Sequence, residues 1–115
     1  MNFTESLKKN YHFRYVYNKG KSIANKHLVI YILKNKNDLY KNKNRLGISV
    51  SKKVGKSVIR SRVTRLIKES YRLMENDLKS GFDIIIIARN STSNLDYFTI
   101  EKSLKHLVYK HNLYR

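Results

Sequence analysis

The chain has 115 residues, with 25 lysines and arginines against 8 acids and a formal net charge of +17. It has no cysteine, which excludes disulfide bonds and thiolate metal sites. Its length suits one domain, residues 1–115, and a hydrophobic fraction of 41% is enough for a folded core. No apolar run is long enough to span a bilayer and the first residues lack the apolar block of a signal peptide, so we expect a cytoplasmic protein without a membrane partner.

The N-terminal residues predict a loose segment followed by a short helix. Residues Met1–Lys9 hold few apolar groups and predict a loosely held lead-in. Asn10 can cap the helix that follows, and Gly20 suits the left-handed conformation that ends it. The side chains at helical spacing on one face of this helix are Phe13, Val16 and Tyr17.

Three strands are predicted next. Lys21–Asn25 is a candidate short strand, and Leu28–Leu33 is apolar on both alternations, which is typical of a strand covered on both faces. The polar segment Asn35–Asn44 predicts a hairpin loop that leads to the third strand, Arg45–Val50. Gly47 lies inside that strand, where the missing side chain lets another group approach closely.

The stretch Ser51–Arg72 combines dense positive charge with a regular apolar stripe. It holds eight cationic side chains and one acid, Glu69. A helical wheel of Val58–Met74 predicts a core-facing arc made of Ile59, Val63, Leu66, Ile67, Ser70, Leu73 and Met74. Lysines outnumber arginines 17 to 8 in the chain, yet four arginines lie within thirteen residues here: Arg60, Arg62, Arg65 and Arg72. Because a planar guanidinium grips phosphate in a way that lysine does not, the stretch predicts a helix that binds nucleic acid.

A buried strand and a last helix complete the predicted fold. A turn through Gly81 leads to the strand Asp83–Ala88, and Asp96 or Thr99 caps the final helix. The apolar stripe of that helix is Ile100, Leu104, Leu107 and Val108. The order helix, three strands, helix, strand, helix predicts a single-domain α+β sandwich with a mixed four-stranded sheet. General rules predict a right-handed path for the crossover from the third strand through the basic helix to the last strand.

The chain offers little for catalysis of its own. Its eight acids and four histidines are scattered, and no spacing among them is typical of an acid–base pair or a metal site. The run KKVGKS is not a phosphate-binding P-loop because Lys52 stands in place of the first glycine, although its lysines predict a simpler anion site at a helix N-terminus. We expect no catalytic residue, no protein-held metal and no small-molecule cofactor, so a partner supplies any reaction chemistry.

Aromatic rings are the second candidate binding feature. Nine tyrosines and four phenylalanines in a small basic protein offer stacking surfaces for unpaired bases. Phe13, Tyr17 and Tyr31 are the preferred trio, although core packing is the stronger interpretation of each ring taken singly. Tyr71 is assigned to packing. On charge alone, a ribosomal or general RNA-binding protein and a DNA-binding helix protein remain alternatives.

The run GISVSKKVGKSVIRSRVTRLIKESYR resembles the signature of the bacterial ribonuclease P protein components. The resemblance extends to GKSIAN, DIIIIAR and SLKHLVYKHNLY and covers nearly the whole chain. It implies a left-handed βαβ crossover, as in the second domain of a small-subunit ribosomal protein, in place of the right-handed path. It also implies the protein subunit of a ribonucleoprotein endonuclease that removes the 5′ leader of precursor tRNA. In that family the catalytic RNA cuts, and the RNA and substrate hold most of the Mg²⁺.

The resemblance also implies two groups of RNA-binding residues. The residues expected to bind the catalytic RNA are Arg60, Ser61, Arg62, Arg65 and Lys68. The residues expected to line a cleft for the 5′ leader, between the sheet and the basic helix, are Phe13, Tyr17, Tyr31, Ser49, Lys52, Lys53 and Tyr114. Ser61 departs from the family motif Arg-Asn-Arg and loses an amide that both donates and accepts. Thr64 replaces a commonly basic residue, which removes one charge from this face.

Overall fold

A five-stranded mixed sheet forms the centre of the computed structural model, which describes residues 1–115. The strands are β1 (Thr4–Ser6), β2 (Lys21–Ala24), β3 (Leu28–Lys34), β4 (Asn44–Val50) and β5 (Phe82–Ala88). They lie in the order β1-β4-β5-β3-β2, with β4 parallel to both β1 and β5 and the other pairs antiparallel. The helices are α1 (Asn10–Lys19), α2 (Ser57–Met74) and α3 (Tyr97–Lys110). The α+β prediction is confirmed, with one strand more than expected.

The alternation of side chains along β5 explains why helices cover both faces of the sheet. Ile84 and Ile86 point to one face, where they join α2 and α3 in the larger core. Ile85 points to the other face, where it packs with Leu7 and with Val16 of α1. Both faces of this strand are therefore buried, as its uninterrupted apolar run predicts.

Helix α2 packs on the sheet through a narrower stripe than the wheel predicts. Its buried residues are Val63, Ile67, Ser70, Tyr71 and Met74. Leu73 is 58% exposed, so its predicted place on the core side is wrong. The assignment of Tyr71 to packing is confirmed, because its ring is buried and its hydroxyl lies 2.9 Å from Thr4 Oγ1.

Helix α3 agrees with its prediction. The buried residues include the predicted stripe of Ile100, Leu104, Leu107 and Val108. Asp96 is the N-cap, and its carboxylate accepts a hydrogen bond of 2.8 Å from the backbone N–H of Thr99. This bond satisfies one of the free amide groups that every helix start leaves open.

The first residues are held in place, which corrects the predicted loose lead-in and the four-stranded sheet. Strand β1 pairs in parallel with Asn44–Leu46. The backbone N–H groups of Asn2 and Phe3 donate to the Glu75 carboxylate at 2.7 and 3.2 Å, and Leu7 is buried. A strand of three residues is too short to show an alternating pattern, so the sequence gives no signal for it.

The segment between β3 and β4 is not a hairpin loop, because β5 lies between these two strands and pairs with both. The parallel pairing of β4 with β5 confirms the predicted strand–helix–strand crossover unit. Within the loop, Asp38–Tyr40 form a short 3-10 helix, and Asn37 accepts a hydrogen bond of 3.0 Å from the Leu39 N–H. The composition of a polar loop does not show whether the two strands that it connects pair with each other. The prediction that β3 pairs with β4 is therefore wrong.

Gly20 is required for a reason other than the predicted one. Its φ is −79°, so the backbone is extended and not left-handed. A Cβ at this position would lie 2.6 Å from the Val16 carbonyl oxygen and 2.8 Å from that of Ile32. The close approach of α1 to β3 therefore needs a residue without a side chain.

The predicted cap of α1 is displaced by one residue, and α2 likewise begins after a lysine. Lys9 and Lys56 occupy the N-cap positions, and neither makes a side-chain capping bond. Asn10 and Ser57 are the first residues inside α1 and α2. The helix starts are therefore left with free backbone N–H groups that can receive other acceptors.

His111 is a buried titratable group that follows α3. Its Nε2 lies 2.8 Å from the carbonyl oxygen of Ile30, while Nδ1 is buried without a hydrogen-bond partner. The bond to a carbonyl oxygen places the proton of the neutral ring on Nε2. Burial lowers the pKa of His111, and although the bond to Ile30 opposes this, Lys21 adds to the lowering. A second proton on Nδ1 would be a buried charge without a partner.

The free energy of unfolding should fall as the pH drops below about 6.5, the ordinary pKa of histidine. The unfolded chain gains a proton there while native His111 stays neutral, so acid favours the unfolded state until the pH passes the lowered native pKa. Urea unfolding between about pH 7 and about pH 5 measures this dependence. His111→Gln keeps a donor for Ile30 but does not titrate, and its dependence should be weaker. An equal fall in both proteins would assign the effect to His12 and His27, whose pKa values burial also lowers.

Candidate RNA-binding surfaces

Helix α2 presents a cationic face on its side away from the core. Ser61, Arg65 and Lys68 are exposed at helical spacing along it. Neither Arg65 nor Lys68 forms an ion pair, and the one ion pair on this helix joins Arg72 to Glu69. Arg72 is therefore partly neutralised, and the free charge is concentrated between Arg60 and Lys68.

Arg60 and Arg62 are half-buried and held by backbone carbonyls. Arg60 Nε donates to the Gly55 oxygen at 3.2 Å, and Arg62 Nη2 donates to the Leu95 oxygen at 2.6 Å. Each guanidinium has five N–H donors, so these bonds orient the group and leave donors for a phosphate. Gly55 has a φ of 156°, a conformation that favours glycine in the turn before α2.

A groove of about 560 Å³ runs between α2 and strand β4. The residues that line it are Ile48, Val50, Ser57, Arg60, Ser61, Thr64, Arg65 and Lys68. It is open because β1 pairs with β4 only as far as Leu46, so the edge of β4 beyond that residue is uncovered. All the residues expected to bind the catalytic RNA except Arg62 line this groove.

A cluster of aromatic rings, which we call the aromatic cleft, lies on the opposite face of the sheet, beside α1. The expected position between the sheet and the basic helix is therefore wrong, because α2 packs on the other face. The ring centroids of Tyr17 and Tyr31 are 5.0 Å apart at 80°, and those of Phe13 and Tyr17 are 6.3 Å apart at 48°. The Phe13 ring lies over Gly47, where an added Cβ would come within 2.5 Å of it. The predicted close approach at Gly47 is thus confirmed, and the predicted trio of rings is brought together.

Ser49 lies beside the same rings. Burial raises the pKa of Tyr17, and Tyr31 adds to this, while the nearby Ser49 opposes it. Tyr17 is still 36% exposed. The cleft therefore combines partly exposed ring faces with a hydroxyl group that can bond a base or a sugar.

Lys52 and Lys53 lie in the short 3-10 helix Lys52–Val54 at the end of β4, and both are exposed. Arg89 follows the end of the parallel neighbour β5 and is also exposed. Arg89 Nη1 donates to the Asn25 oxygen at 3.0 Å. The sequence prediction did not include Arg89, although an arginine after a buried strand in a lysine-rich chain is a signal of the same kind as the arginines of α2.

The structure does not bring Tyr114 to the aromatic cleft. Tyr114 forms a β-bridge with Leu78 and packs against the larger core, on the α2 and α3 side of the sheet. Burial raises its pKa, and the nearby carboxylates of Asp77 and Glu101 add to the effect. The cleft is lined by α1 and the sheet, so Tyr114 lies on the wrong face for the predicted role.

The acidic and histidine side chains are dispersed or already engaged. No three of them come together at a spacing that could hold a metal ion. Of the two buried acids, Asp83 pairs with Arg45 at 2.7 Å and Glu75 binds the N-terminal backbone. None of the helices has both the length and the apolar character to cross a membrane.

Comparison with known proteins identifies the family. The Ribonuclease P family model matches residues 1–112. The ribonuclease P protein component of Clostridium botulinum is 53% identical over 109 residues, which cover 94% of this chain and 95% of that protein. The RNase P protein of Staphylococcus aureus superposes with a TM-score of 0.86 at 35% identity, covering 96% of this chain and 97% of its own. The RNase P protein of Thermotoga maritima superposes with a TM-score of 0.80 at 32% identity, covering 92% of this chain and 96% of its own.

These similarities extend along almost the entire length of both partners in each comparison. They also agree with the architecture, because the matched structures are mixed α+β domains of the same size class. The chain therefore belongs to the ribonuclease P protein family, the protein subunits that join the ribonuclease P RNA in a tRNA-processing ribonucleoprotein.

Proposed function

We propose that this chain promotes removal of the 5′ leader from precursor tRNA by binding two RNAs on two surfaces. The residues that bind the catalytic RNA are Arg60, Ser61, Arg62, Arg65 and Lys68. The residues that bind the single-stranded leader are Phe13, Tyr17, Tyr31 and Ser49 in the cleft, with Lys52 and Lys53 at its end. Tyr114 is left out because of its position. The RNA makes the endonucleolytic cut, and the RNA and substrate hold most of the Mg²⁺.

The observation that supports this division most is the way the two surfaces meet. The cationic groove and the aromatic cleft lie on opposite faces of the sheet, yet both reach the uncovered edge of β4. At the end of β1, where this edge begins, a cavity of about 230 Å³ is lined by the N-terminal segment and by residues of both sides, among them Phe13, Gly47, Thr64 and Lys68. An RNA on α2 and a strand in the cleft would thus be held close together on one rigid element.

The two surfaces suit different parts of an RNA. Unpaired arginines and lysines bind phosphates of a folded RNA without reading sequence, and this binding weakens with salt. Rings with free faces stack on unpaired bases, each stack contributing about 1–3 kcal/mol. A leader is single-stranded and varies in sequence, so sequence-tolerant stacking is the suitable contact. At position 61 the serine hydroxyl can donate or accept, which keeps part of the hydrogen bonding of the family asparagine.

Charge neutralisation explains why such a protein would lower the requirement for Mg²⁺. Two RNAs brought together repel each other, and divalent ions normally screen that repulsion. A chain with a net charge of +17 replaces part of this screening at the contact. The proposed benefit is therefore largest when Mg²⁺ is scarce.

Cleavage at low Mg²⁺ tests the proposal directly. Addition of the chain to a bacterial ribonuclease P RNA and precursor tRNA should accelerate release of the leader, measured by single-turnover kinetics on a labelled substrate. The variant Arg60→Gln/Arg65→Gln/Lys68→Gln should lose most of the acceleration, since it removes three cations from the groove. No acceleration over RNA alone would refute the proposal. Equal acceleration by an unrelated basic protein would also contradict it, because positive charge alone would then explain the effect without the two binding surfaces.

Tyr17→Ala should weaken the binding of precursor tRNA to the assembled enzyme by about 1–3 kcal/mol, the contribution of one stacked base. Binding of mature tRNA, which has no leader, should not change. Tyr17 is chosen because it is partly exposed, so its removal costs less packing than removal of Phe13. Tyr109→Ala is the matched control, because this ring is 72% exposed on α3, away from the cleft. Equal losses for both tRNAs would show that Tyr17 acts by packing alone.

Arg62→Ala and Arg65→Ala should separate RNA binding from stability. Both remove a cation from α2 and should lower affinity for the catalytic RNA. Arg62→Ala should also cost about 1 kcal/mol of unfolding free energy, because it removes the bond to Leu95, whereas exposed Arg65→Ala should cost almost none. Urea unfolding and filter binding of the two variants measure the two effects. A large stability loss in Arg65→Ala would contradict the assignment of that residue to the RNA face.

A further inference from the structure

A second groove lies on the α1 face of the sheet, on the other side of α1 from the aromatic cleft. Its volume is about 440 Å³. We call it the lower groove, and the side chains that define it are Tyr15, Lys19, Lys34, Lys36, Arg45 and Asp83. None of these residues belongs to either surface of the proposed function.

Helix α1 separates the lower groove from the cleft. On the side of α1 that faces the lower groove, one row of paired residues crosses three strands: Arg45, Asp83 and Leu33. On the side that faces the aromatic cleft, a second row crosses the same strands: Ser49, Ile87 and Val29. Between these rows, α1 lies on Gly47 and Ile85 through Phe13 and Val16. The two sites therefore share one sheet face and are divided by a single helix.

The floor of the lower groove is a rigid polar platform. Arg45 Nε and Nη2 donate to the two oxygens of Asp83 at 2.8 and 2.7 Å, and the side chains of the pair are only 12% and 5% exposed. Asn35 Nδ2 donates to the same carboxylate at 3.2 Å, and the Arg45 guanidinium stacks on Tyr40 at 4.6 Å. The carboxylate is thus neutralised where it stands and does not repel an anion at the rim.

The rim carries free cations and an exposed ring. Lys19, Lys34 and Lys36 are exposed, and none of them forms an ion pair. Tyr15 lies one helical turn before Lys19 on the same side of α1, and its ring is 57% exposed. Three unpaired lysines around one groove repel one another, and a bound polyanion would remove that repulsion.

We propose that the lower groove is a second subsite for single-stranded RNA, in which Tyr15 stacks on a base while the three lysines bind flanking phosphates. A ring next to phosphate-binding cations is the combination that single-strand binding sites use, whereas a duplex offers no free base face to Tyr15. The identity of the bound RNA rests on the proposed function: it is the distal part of a 5′ leader that passes round the end of α1. Short leaders fill the cleft alone, and longer leaders fill both sites.

Leader length tests the subsite. Affinity of the assembled enzyme is measured for precursor tRNAs with leaders of about 4 and about 16 nucleotides, the usual limits for one single-strand binding domain. Lys19→Gln/Lys34→Gln/Lys36→Gln should bind the short-leader substrate like the wild type and lose the extra affinity of the long leader. Its salt dependence for the long leader should flatten by a slope of about 2, for three lost phosphate contacts. Tyr15→Ala should lower long-leader affinity about tenfold.

A charge-matched variant provides the control. Lys102→Gln/Lys105→Gln/Lys110→Gln removes three exposed lysines from α3, on the opposite face of the sheet, so the total charge falls equally. If this control loses the same affinity as the groove variant, or if the groove variant loses equal affinity for both leaders, the subsite is refuted. Circular dichroism confirms that each variant is folded.

Titration of the free chain with a single-stranded oligonucleotide separates this proposal from the proposed function. NMR shifts of the backbone amides of Lys34, Lys36 and Lys19 should move on binding, and the groove variant should reduce that binding. Shifts confined to the cleft around Tyr31 and Ser49 would refute the subsite and leave the function intact. A third outcome is that shifts occur in the lower groove while the wild-type enzyme binds tRNA equally well with and without a leader. That result would support the subsite but refute the leader as its occupant.

Discussion

The parallel pairing of β4 with β5 determines where both proposed RNA-binding surfaces lie. Two parallel neighbours need a connection that returns along the sheet, and α2 makes it. The first turns of α2 therefore begin beside the end of β4, which brings its cations next to Lys52 and Lys53. Asn44 secures the other end, since its buried side chain donates to the Lys79 oxygen and accepts from the Phe82 N–H, both at 2.9 Å.

The few acids of the chain explain why so much positive charge stays free. Six of the eight carboxylates are engaged within the fold: Glu5, Glu69, Asp83 and Glu101 in ion pairs, Glu75 with backbone N–H groups, and Asp96 as a helix cap. Almost none remains to neutralise the groove beside α2 or the lower groove. Removal of Asp83 or Arg45 would leave a buried charge unpaired, at a cost of about 3–5 kcal/mol. The acids thus maintain the fold, and the surplus cations stay free to bind an anionic partner.

Sequence reasoning succeeded where a periodic pattern was long and failed where spatial neighbours decide the structure. The runs of α2 and β5 were predicted nearly to their ends, and the buried stripe of α3 was predicted too, because burial imposes a helical or strand period on them. Strand β1 was missed because three residues carry no period, and the place of β5 between β3 and β4 is set by pairing that no local pattern encodes. The cationic face of α2 followed from composition. Tyr114 was misplaced and the lower groove missed because each depends on which face of the sheet a distant residue reaches.

In the aromatic cleft, packing and base stacking do not exclude each other as roles for the same ring. Tyr17 and Tyr31 meet nearly edge to face at 5.0 Å, so each ring is held by its neighbour. Phe13 is held against Gly47, yet part of each ring stays accessible. A ring held in this way loses little rotational freedom when a base stacks on it, which lowers the entropic cost of binding. Partial burial is therefore what makes these rings suitable stacking surfaces. The spacing of the aromatic residues in the sequence predicts their packing but not the part of each ring that stays exposed.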